Sequence, residues 1–343
     1  MLSPLMRYSA VVSKIKAKER NRLKKDDYET MASMTSVAEV IGYLKEHSSF
    51  SLYLEEVSEK DTHRGQMEKL LRRAIRDDFC RLYRFVAGKE RKFLDIFLVY
   101  FELEIMKQIL YQIFGGEPED FEPIIVDDFF ERHTSVPFGK LTRATTRAEY
   151  AEALCGTPFY ELLAEPLKSG TLFDIAMRLD LYYYREEERL IEALPKSDQA
   201  AVKEIFAVRV DLLNLMWIYR LKASYRATPD QIKGYLIPAF GRLGKRTIDA
   251  LAEAESVEAF VRLADESAYR GLFRAPDEGG LERAFSEVLY KAEKKMLREQ
   301  PMSLAAITAA HQLKEFEMQN IITVVEGVRY RLSPSTILER LVI

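Results

Sequence analysis

The sequence predicts an all-α protein built from three similar helical units. The first observation is a repeated phrase, in which an apolar helix carries an acid and a polar partner three positions later, followed by a turn. The second is composition: 48% of the 343 residues are hydrophobic and 31% charged, while Gly (15) and Pro (12) are few. The third is that no β-rich run is long enough to predict a sheet. A repeat of this kind decides the architecture and must be recognised first.

Three copies of the phrase can be aligned. In two copies the acid and its partner are Asp211 with Asn214 and Glu317 with Asn320. In a third, more divergent copy they are Glu104 with Lys107. The second members of these pairs lie 107 and 106 residues apart. This spacing predicts three helical repeat units, residues 1–122, 123–231 and 232–343.

Two interpretations of these pairs are open. The two residues share one helix face because they are three positions apart. They could form a polar lining or a partner contact. Alternatively, each acid pairs with a neighbouring base or tyrosine and fixes the register of a helical hairpin within its unit. Buried polar groups persist only when they are paired, so three equivalent positions favour the structural interpretation.

Hydroxyl residues predict where short helices begin. A second motif starts with Ser36, Thr146 or Ser256, and its glutamates lie 110 and 109 residues apart. In the Thr146 copy, the hydroxyl and the glutamate three positions later can cap each other's backbone amides. Thr228 and Ser333 each precede a proline, which fits the first helical position because its missing N–H would be unpaired there.

The N-terminal stretch is strongly basic. Residues 1–25 carry eight basic side chains against one acid, Glu19. A short apolar stripe lies beneath the charges: Tyr8, Val11, Val12 and Ile15. One interpretation is attachment to an anionic lipid surface or an acidic partner. The favoured one is a solvated helix face with snorkelling lysines.

The first unit is predicted to be a long helical hairpin with short helices at one end. Residues 26–28 are predicted to start a helix that runs to the amphipathic segment at residues 36–44. Residues 66–114 predict the hairpin, with a break at Gly88 and an end at Gly115, because glycine is common just beyond a helix C-terminus.

The second and third units follow the same plan. Residues 126–141 are weakly periodic and predict extended chain or short helices, whereas residues 171–194 predict a helix. The turn at residues 195–198 would let two long helices pack antiparallel. In the third unit, a loop at residues 274–280 precedes a hairpin made of residues 282–300 and the last signature helix.

Net charge, cysteine content and the length of apolar runs limit which partners and locations the sequence predicts. The net charge of −3 gives no overall attraction to nucleic acid, so no nucleic-acid partner is predicted. Cys80 and Cys155 lack metal or redox spacing and favour a reducing, cytoplasmic location. The sequence contains no run of about 18 apolar residues, so no membrane span is predicted. The first residues do not match a signal peptide.

No catalytic motif is evident, so no cofactor is predicted. The sequence lacks a phosphate-binding loop, GxGxxG, GxSxG and HExxH, and its four histidines are scattered. One acidic cluster, Asp127-Asp128-Phe129-Phe130-Glu131, is similar to the magnesium-binding motif of all-α isoprenoid synthases. A second facing acidic motif is absent and prolines flank the cluster, which disfavours this enzyme hypothesis.

The repeated residues resemble a known family. Residues 8–44, 211–238 and 314–343 are together similar to the C subunit of A-type and bacterial V-type rotary ATPases, called the d subunit in the eukaryotic enzyme. Each motif is common alone, but in this order and spacing they are specific, and the likeness covers essentially the whole chain. Lys107 departs from the family by replacing an amide, Ser9-Ala10 stands where glycine or asparagine is frequent, and lysines near Lys14 stand where arginine is usual.

The resemblance implies a fold and a function. Three helical units would form a funnel around a pseudo-threefold axis, and the protein would be a non-catalytic monomer within a larger complex. Its wide face would sit on the membrane proteolipid ring (c/K-type), and its socket would receive the central-stalk subunits (D and F type). It would lie peripherally at the cytoplasmic face of the membrane. There it would transmit torque for H⁺ or Na⁺ transport or for ATP synthesis.

A second hypothesis is a helical-repeat protein-binding scaffold unrelated to rotary ATPases. Its repeats would be unusually long, because typical helical repeats span about 34–47 residues. In either case, partner contacts are predicted at the short helices and turns at unit ends. The residues singled out there are Leu236, Ile237, Pro238, Phe240 and Thr171.

Overall fold

The computed structural model describes residues 4–55, 57, 64–115, 128–238, 241–274 and 278–343. Every regular element in these residues is helical, with eighteen α-helices, a 3₁₀-helix at Leu272–Arg274 and no β-strand. The predicted all-α class is thus confirmed for the described part of the chain.

The helices follow one another with short connections. The first nine are α1 (Pro4–Glu19), α2 (Lys25–Ala32), α3 (Val37–His47), α4 (Ser51–Leu54), α5 (Arg64–Tyr83), α6 (Gly88–Ile113), α7 (Asp128–Glu131), α8 (Phe138–Leu141) and α9 (Arg147–Ala153). The others are α10 (Pro158–Ser169), α11 (Leu172–Ala193), α12 (Lys196–Ala223), α13 (Pro229–Tyr235), α14 (Lys245–Glu253), α15 (Val257–Asp265), α16 (Glu278–Glu299), α17 (Leu304–Arg329) and α18 (Pro334–Leu338). None of them, over the described residues, combines the length and the apolar run needed to cross a membrane.

The chain forms two compact units. The first consists of Met1–Val86, Lys196–Ala223 and Phe240–Ile343. Helix α17 lies at its centre, where it packs against α16, α5, α12, α1 and α2. Apolar side chains of α2 to α5 and α17 share one core, which includes Met31, Ile41, Leu71 and Ile321. Burial of this surface is the main contribution to the stability of the unit.

The second unit consists of Ala87–Pro195 and Ser224–Ala239. Its main contact joins α6 to α11, and α10 packs on α9 and α11. Eleven residues of α6 are buried, on more than one face. Tyr150 of α9, fully buried, donates a hydrogen bond to the Met106 carbonyl of α6 at 3.2 Å.

The predicted hairpin is found only in part. Helices α16 and α17 pack on each other, as predicted for the third unit. The long helices of the earlier stretches pack differently: α5 packs on α17, and α6 packs on α11. Since α5 and α6 fall in different compact units, the pairing of long helices follows tertiary packing rather than chain order. The division into three sequence repeats stays a prediction.

The helix predicted to start at residues 26–28 stops just before the segment at residues 36–44, which forms a helix of its own. Helix α2 ends at Ala32, and Ser36 caps α3 by accepting a hydrogen bond from the Glu39 amide. The Glu39 carboxylate in turn accepts one from the Thr35 amide at 2.9 Å. These side-chain bonds replace the backbone bonds that a continuous helix would make, so the chain breaks there.

Other local predictions are confirmed. Thr146 forms a reciprocal cap with Glu149, and Thr228 and Ser333 cap helices whose first residue is proline. Residues 128–141 form the short helices α7 and α8. The apolar stripe of α1 is buried in the first unit, while Lys14 and Lys16 beside it are exposed. The stripe therefore belongs to the core and its lysines to a solvated face.

Candidate functional site

Three long helices each carry a buried carboxylate that holds the backbone of a distant loop. The Leu23 amide donates to Glu317 Oε1 at 2.8 Å. The Leu243 amide donates to Asp211 Oδ2 at 3.0 Å, and the Ser135 amide donates to Glu102 Oε1 at 2.9 Å. The three acids are 2%, 0% and 4% exposed, respectively. We call these contacts the α17, α12 and α6 junctions. A buried carboxylate needs such donors to be tolerated in the fold.

The junctions connect the predicted repeats in a cycle. Each loop precedes short helices of the next repeat: α2 and α3 follow Leu23, α14 and α15 follow Leu243, and α8 and α9 follow Ser135. Those short helices also touch the same long helix, since α3 packs on α17 and α15 on α12. The last repeat thereby holds the first one.

The α17 junction is ionic. Lys314, one turn before Glu317, donates to Glu317 Oε2 at 2.6 Å and also to the Ser49 hydroxyl. Its ammonium lies 3.7 Å from the centre of the Phe50 ring. Burial lowers the pKa of Lys314, and the Glu317 carboxylate opposes this shift. The charge pair is therefore held in a poorly hydrated site, where each partner depends on the other.

The α12 junction uses a neutral partner. The Tyr269 hydroxyl donates to Asp211 Oδ2 at 2.9 Å, alongside the Leu243 amide. Burial raises the pKa of Asp211, and these two hydrogen bonds only partly offset the shift. Gly241 approaches so closely that a Cβ there would overlap Asp211 Oδ1. The absence of a side chain at position 241 is thus a steric requirement of this junction.

The acid of the α6 junction is Glu102, which is not the acid that the repeat aligns with Asp211 and Glu317. The phrase aligns Glu104 with Asp211 and Glu317, but the Glu104 side chain is 37% exposed and pairs with Lys107 at 3.3 Å on the same helix. Glu102 instead accepts from the Ser135 amide and, at 2.5 Å, from the Thr134 hydroxyl. Burial raises the pKa of Glu102, against these bonds.

A spacing in the sequence could have identified Glu102. The acid-to-cap distance is 45 residues from Asp211 to Ser256, 44 from Glu102 to Thr146 and 42 from Glu104 to Thr146. The cap is the better reference because it lies in the same segment of short helices that follows the loop held by the acid. Alignment on the acid-amide pair alone selects Glu104, whereas the spacing to the cap selects Glu102.

Two of the second members, Asn320 and Lys107, bind backbone or a countercharge. Asn320 exchanges two hydrogen bonds with Val342, at 2.8 and 2.9 Å, and so fixes the segment after α18 to α17. Asn214 is buried in α12. Lys107 of α6 bridges to Asp180 of α11 at 2.5 Å. Burial acts to lower the pKa of Lys107, but the carboxylates of Asp180 and Glu104 outweigh it and the pKa is raised.

The second unit has an open cleft on one face of α11. Its volume is about 460 Å³, and its floor is apolar, made of Leu162, Pro166, Met177 and Leu181. Arg178 and Arg185 line it from α11, and Tyr235 lines it from the end of α13. We call this the α11 cleft.

An exposed aromatic cluster adjoins the α11 cleft. The ring of Phe173, 38% exposed, stacks on that of Tyr225 at 5.6 Å and meets Tyr235 edge-on at 5.4 Å. The Tyr235 hydroxyl donates to Asp174 at 2.8 Å. We call Phe173, Tyr225 and Tyr235 the aromatic rim. Exposed, grouped aromatic side chains are typical of protein interaction surfaces.

The residues predicted to contact partners lie beside this surface or outside the described chain. Leu236 is half-buried, Ile237 is buried and Pro238 is exposed, all directly after α13. Phe240 lies outside the described residues. Thr171 is exposed but caps α11, bonding Asp174 at 2.7 Å, which leaves its neighbour Phe173 as the group presented to solvent.

The acidic cluster at residues 127–131 provides no described metal site. Asp127 lies outside the described residues, and the cluster continues into the four-residue helix α7. Among the residues that the structure describes, no group of three His, Cys, Asp or Glu side chains is placed to hold a metal ion.

Comparison with known proteins gives a consistent match. Residues 11–340 match the family described as ATP synthase (C/AC39) subunit. The C subunit of the A-type ATP synthase of Methanosphaera stadtmanae is 23% identical over 97% of this chain and 88% of its own length. That of Archaeoglobus fulgidus is 25% identical, covering 97% and 95%. That of Methanosarcina mazei is 24% identical, covering 98% and 93%.

Proposed function

This chain belongs to the ATP synthase (C/AC39) subunit family, and from that premise we propose that it couples the central stalk to the membrane proteolipid ring. As the C subunit of an A/V-type ATP synthase, it is a non-catalytic component of the central stalk. The observation that carries the proposal is the family match, because it extends across all three predicted repeats.

Stiffness supports a role in passing torque. Helices α6, α12 and α17 have 26, 28 and 26 residues, which corresponds to lengths of about 40 Å each. Each is tied by its junction to the loop of the following repeat through a buried carboxylate. Closely packed helices deform little under load, so a rotation applied to one repeat is passed to the next.

We also infer that the three repeats close into a funnel around a pseudo-threefold axis. The cyclic order of the junctions supports this arrangement, because the α17 junction links the last repeat to the first. The wide face would then contact the c/K-type proteolipid ring and the socket would receive the D and F type stalk subunits. The protein would act as one copy per complex, peripheral at the cytoplasmic face of the membrane.

The scaffold hypothesis is less well supported. An open helical array has a free first and a free last repeat, whereas here Leu23 near the chain start bonds Glu317 near its end.

Affinity purification tests the proposal. The tagged chain is recovered from detergent-solubilised membranes of its own source, and its partners are identified by mass spectrometry. Proteolipid and central-stalk subunits are expected in constant ratio to the tagged chain. Recovery of unrelated soluble proteins without proteolipid would overturn the coupling role.

A further inference from the structure

We propose that the α11 cleft and its aromatic rim bind a carboxylate-bearing polypeptide segment of another subunit of the same complex. The inference rests on the proposed function, since it names the chemistry of one partner contact. It is carried by two exposed arginines, an apolar floor and a group of exposed aromatic rings, all within the second unit.

The arginines supply guanidinium groups whose hydrogen-bond donors are open. Arg178 and Arg185 are exposed and lie seven positions apart on α11, hence on one face, with about 10 Å of helix between them. Among the residues that the structure describes, neither makes a hydrogen bond or an ion pair. A guanidinium group favours carboxylate ligands because it can donate two parallel hydrogen bonds.

The acids that line the cleft are already engaged. Asp174 accepts bonds from the Thr171 amide and hydroxyl and from the Tyr235 hydroxyl, at 3.0, 2.7 and 2.8 Å. The Thr171 bonds lower the pKa of Asp174, and the charge of Arg178 adds a smaller effect. Glu165 pairs with Lys168 at 2.8 Å. The oxygens of these acids are therefore occupied, whereas the guanidinium donors of Arg178 and Arg185 are open to a carboxylate from a partner.

The apolar surface favours a polypeptide over a small anion. The floor of Leu162, Pro166, Met177 and Leu181 gives no polar contact to a phosphate or a single carboxylate. The rim extends the surface outward through Phe173 to Tyr225, which is 63% exposed. A segment with apolar side chains on one side and carboxylates about two helical turns apart would satisfy both features.

Charge reversal tests the arginines in the full complex. Arg178→Glu together with Arg185→Glu should lower recovery of one co-purifying subunit by roughly tenfold or more, because like charges would then oppose each other. Lys89→Glu with Lys92→Glu is the matched control, since both are exposed on the long helix α6 of the same unit and make the same charge change. The control should leave recovery unchanged, and thermal unfolding of both variants should match the wild type.

Photo-crosslinking identifies the partner. p-Benzoylphenylalanine at Tyr225, irradiated in purified membranes, should give an adduct with an acidic segment of another subunit. The same group at Leu52, which is 64% exposed in the first unit, is the control position. Exchange of acidic for basic residues in the crosslinked segment should restore binding to the Arg178→Glu, Arg185→Glu variant.

The outcomes separate the two proposals. If the wild type recovers proteolipid and stalk subunits but the reversal variant recovers them equally well, only the cleft inference fails. An adduct with lipid, or with a segment lacking acids, also overturns the inference alone. If the wild type recovers no proteolipid, the coupling function fails and the inference fails with it.

Discussion

The α17 and α12 junctions occupy equivalent places in the predicted repeats and lie in the same compact unit, yet they bury their acids by different means. Glu317 has a cation, Lys314, and a backbone amide. Asp211 has a phenol, Tyr269, and a backbone amide. The shared element is the amide bond to the loop, and the second partner differs.

The difference shows that the loop contact and the countercharge are separable. Glutamate is one methylene longer than aspartate, so Asp211 reaches its loop only because Gly241 allows a close approach. The ionic junction should respond strongly to loss of its negative charge and the neutral junction weakly. Four measurements test this contrast.

The largest effect is expected at the ionic junction. Glu317→Gln keeps the size of the side chain and an oxygen that can accept from Leu23. It leaves the buried Lys314 ammonium without its hydrogen-bonded carboxylate, with only the longer-range charges of Asp78 and Glu19 to oppose burial. Removing one partner of a buried pair typically destabilises by about 3–5 kcal/mol. Denaturant unfolding, followed by circular dichroism, should show a loss in that range.

Two further variants identify the cause of that loss. Glu326→Gln on the same helix removes the same charge from a more exposed pair with Arg329, at 2.9 Å, and should cost no more than about 1 kcal/mol. Glu317→Gln combined with Lys314→Met removes both charges and should recover most of the lost stability. Equal effects of Glu317→Gln and Glu326→Gln would show that the junction does not depend on its charge pair.

The α17 side should also be sensitive to acid. His311, one turn before Lys314, is buried against Phe79 at 5.8 Å between ring centres. Burial, with a smaller effect from Arg209, lowers the pKa of His311 to about 4 from 6.5. Below pH 6.5 the unfolded chain therefore takes up a proton that the folded chain refuses.

Stability from this histidine is complete above pH 6.5 and falls as the pH drops toward 4, by about 3 kcal/mol in total. His311→Gln should remove that part of the pH dependence, measured as the difference from wild type between pH 7 and 4.5. His47→Gln is the control because that ring is half exposed. Parallel curves for His311→Gln and wild type would contradict the expectation.

Local features were predictable from sequence, and tertiary pairings were not. The caps at Thr146, Thr228 and Ser333 were predictable because a hydroxyl and its acceptor amide lie within one turn. The contact of α6 with α11 depends on which apolar faces fit together, and the repeat pattern suggested a different hairpin. Short-range chemistry therefore set the element boundaries, while packing decided the partners.

The residues of the candidate site were also predictable only in part. The repeat located Asp211 and Glu317, because an acid inside an apolar helix must be satisfied. It did not reveal Tyr269, which lies 58 residues from Asp211. The aromatic rim was also missed, since Phe173 and Tyr225 are single aromatic residues in separate segments that only the fold brings together.

A smaller loss is expected from crowding the neutral junction. Gly241→Ala places a Cβ against the Asp211 carboxylate, which must move and weaken its bonds to Leu243 and Tyr269. Overpacking of a buried site costs about 1–3 kcal/mol. Thermal and denaturant unfolding should both report the loss.

Gly42→Ala is the matched control for that change. Gly42 lies within α3, and a Cβ there meets nothing within 4 Å. Alanine should stabilise this helix by about 0.5–1 kcal/mol, because glycine loses more backbone freedom on folding. If Gly241→Ala were equally stabilising, the close approach to Asp211 would have no energetic role.

The smallest effect, and the sharpest comparison, is expected for Asp211→Asn. The change matches Glu317→Gln chemically, but the amide oxygen can still accept from Leu243 and Tyr269, and no cation is left unpaired. Loss of the charge also removes the free-energy cost of burying an ionised carboxylate, the effect that raises the pKa of Asp211. These effects oppose one another, so the net loss should be about 1 kcal/mol or less at pH 7.

The pH dependence gives Asp211→Asn a second, independent readout. An acid whose pKa is raised on folding contributes stability that is present below its unfolded pKa and lost as the pH rises through the folded pKa. Wild type should therefore lose this contribution as the pH rises above the ordinary aspartate value of 3.8, and Asp211→Asn should not. A loss at pH 7 as large as that of Glu317→Gln would mean that the α12 junction is ionic in effect, with Arg242 as the nearest source of countercharge.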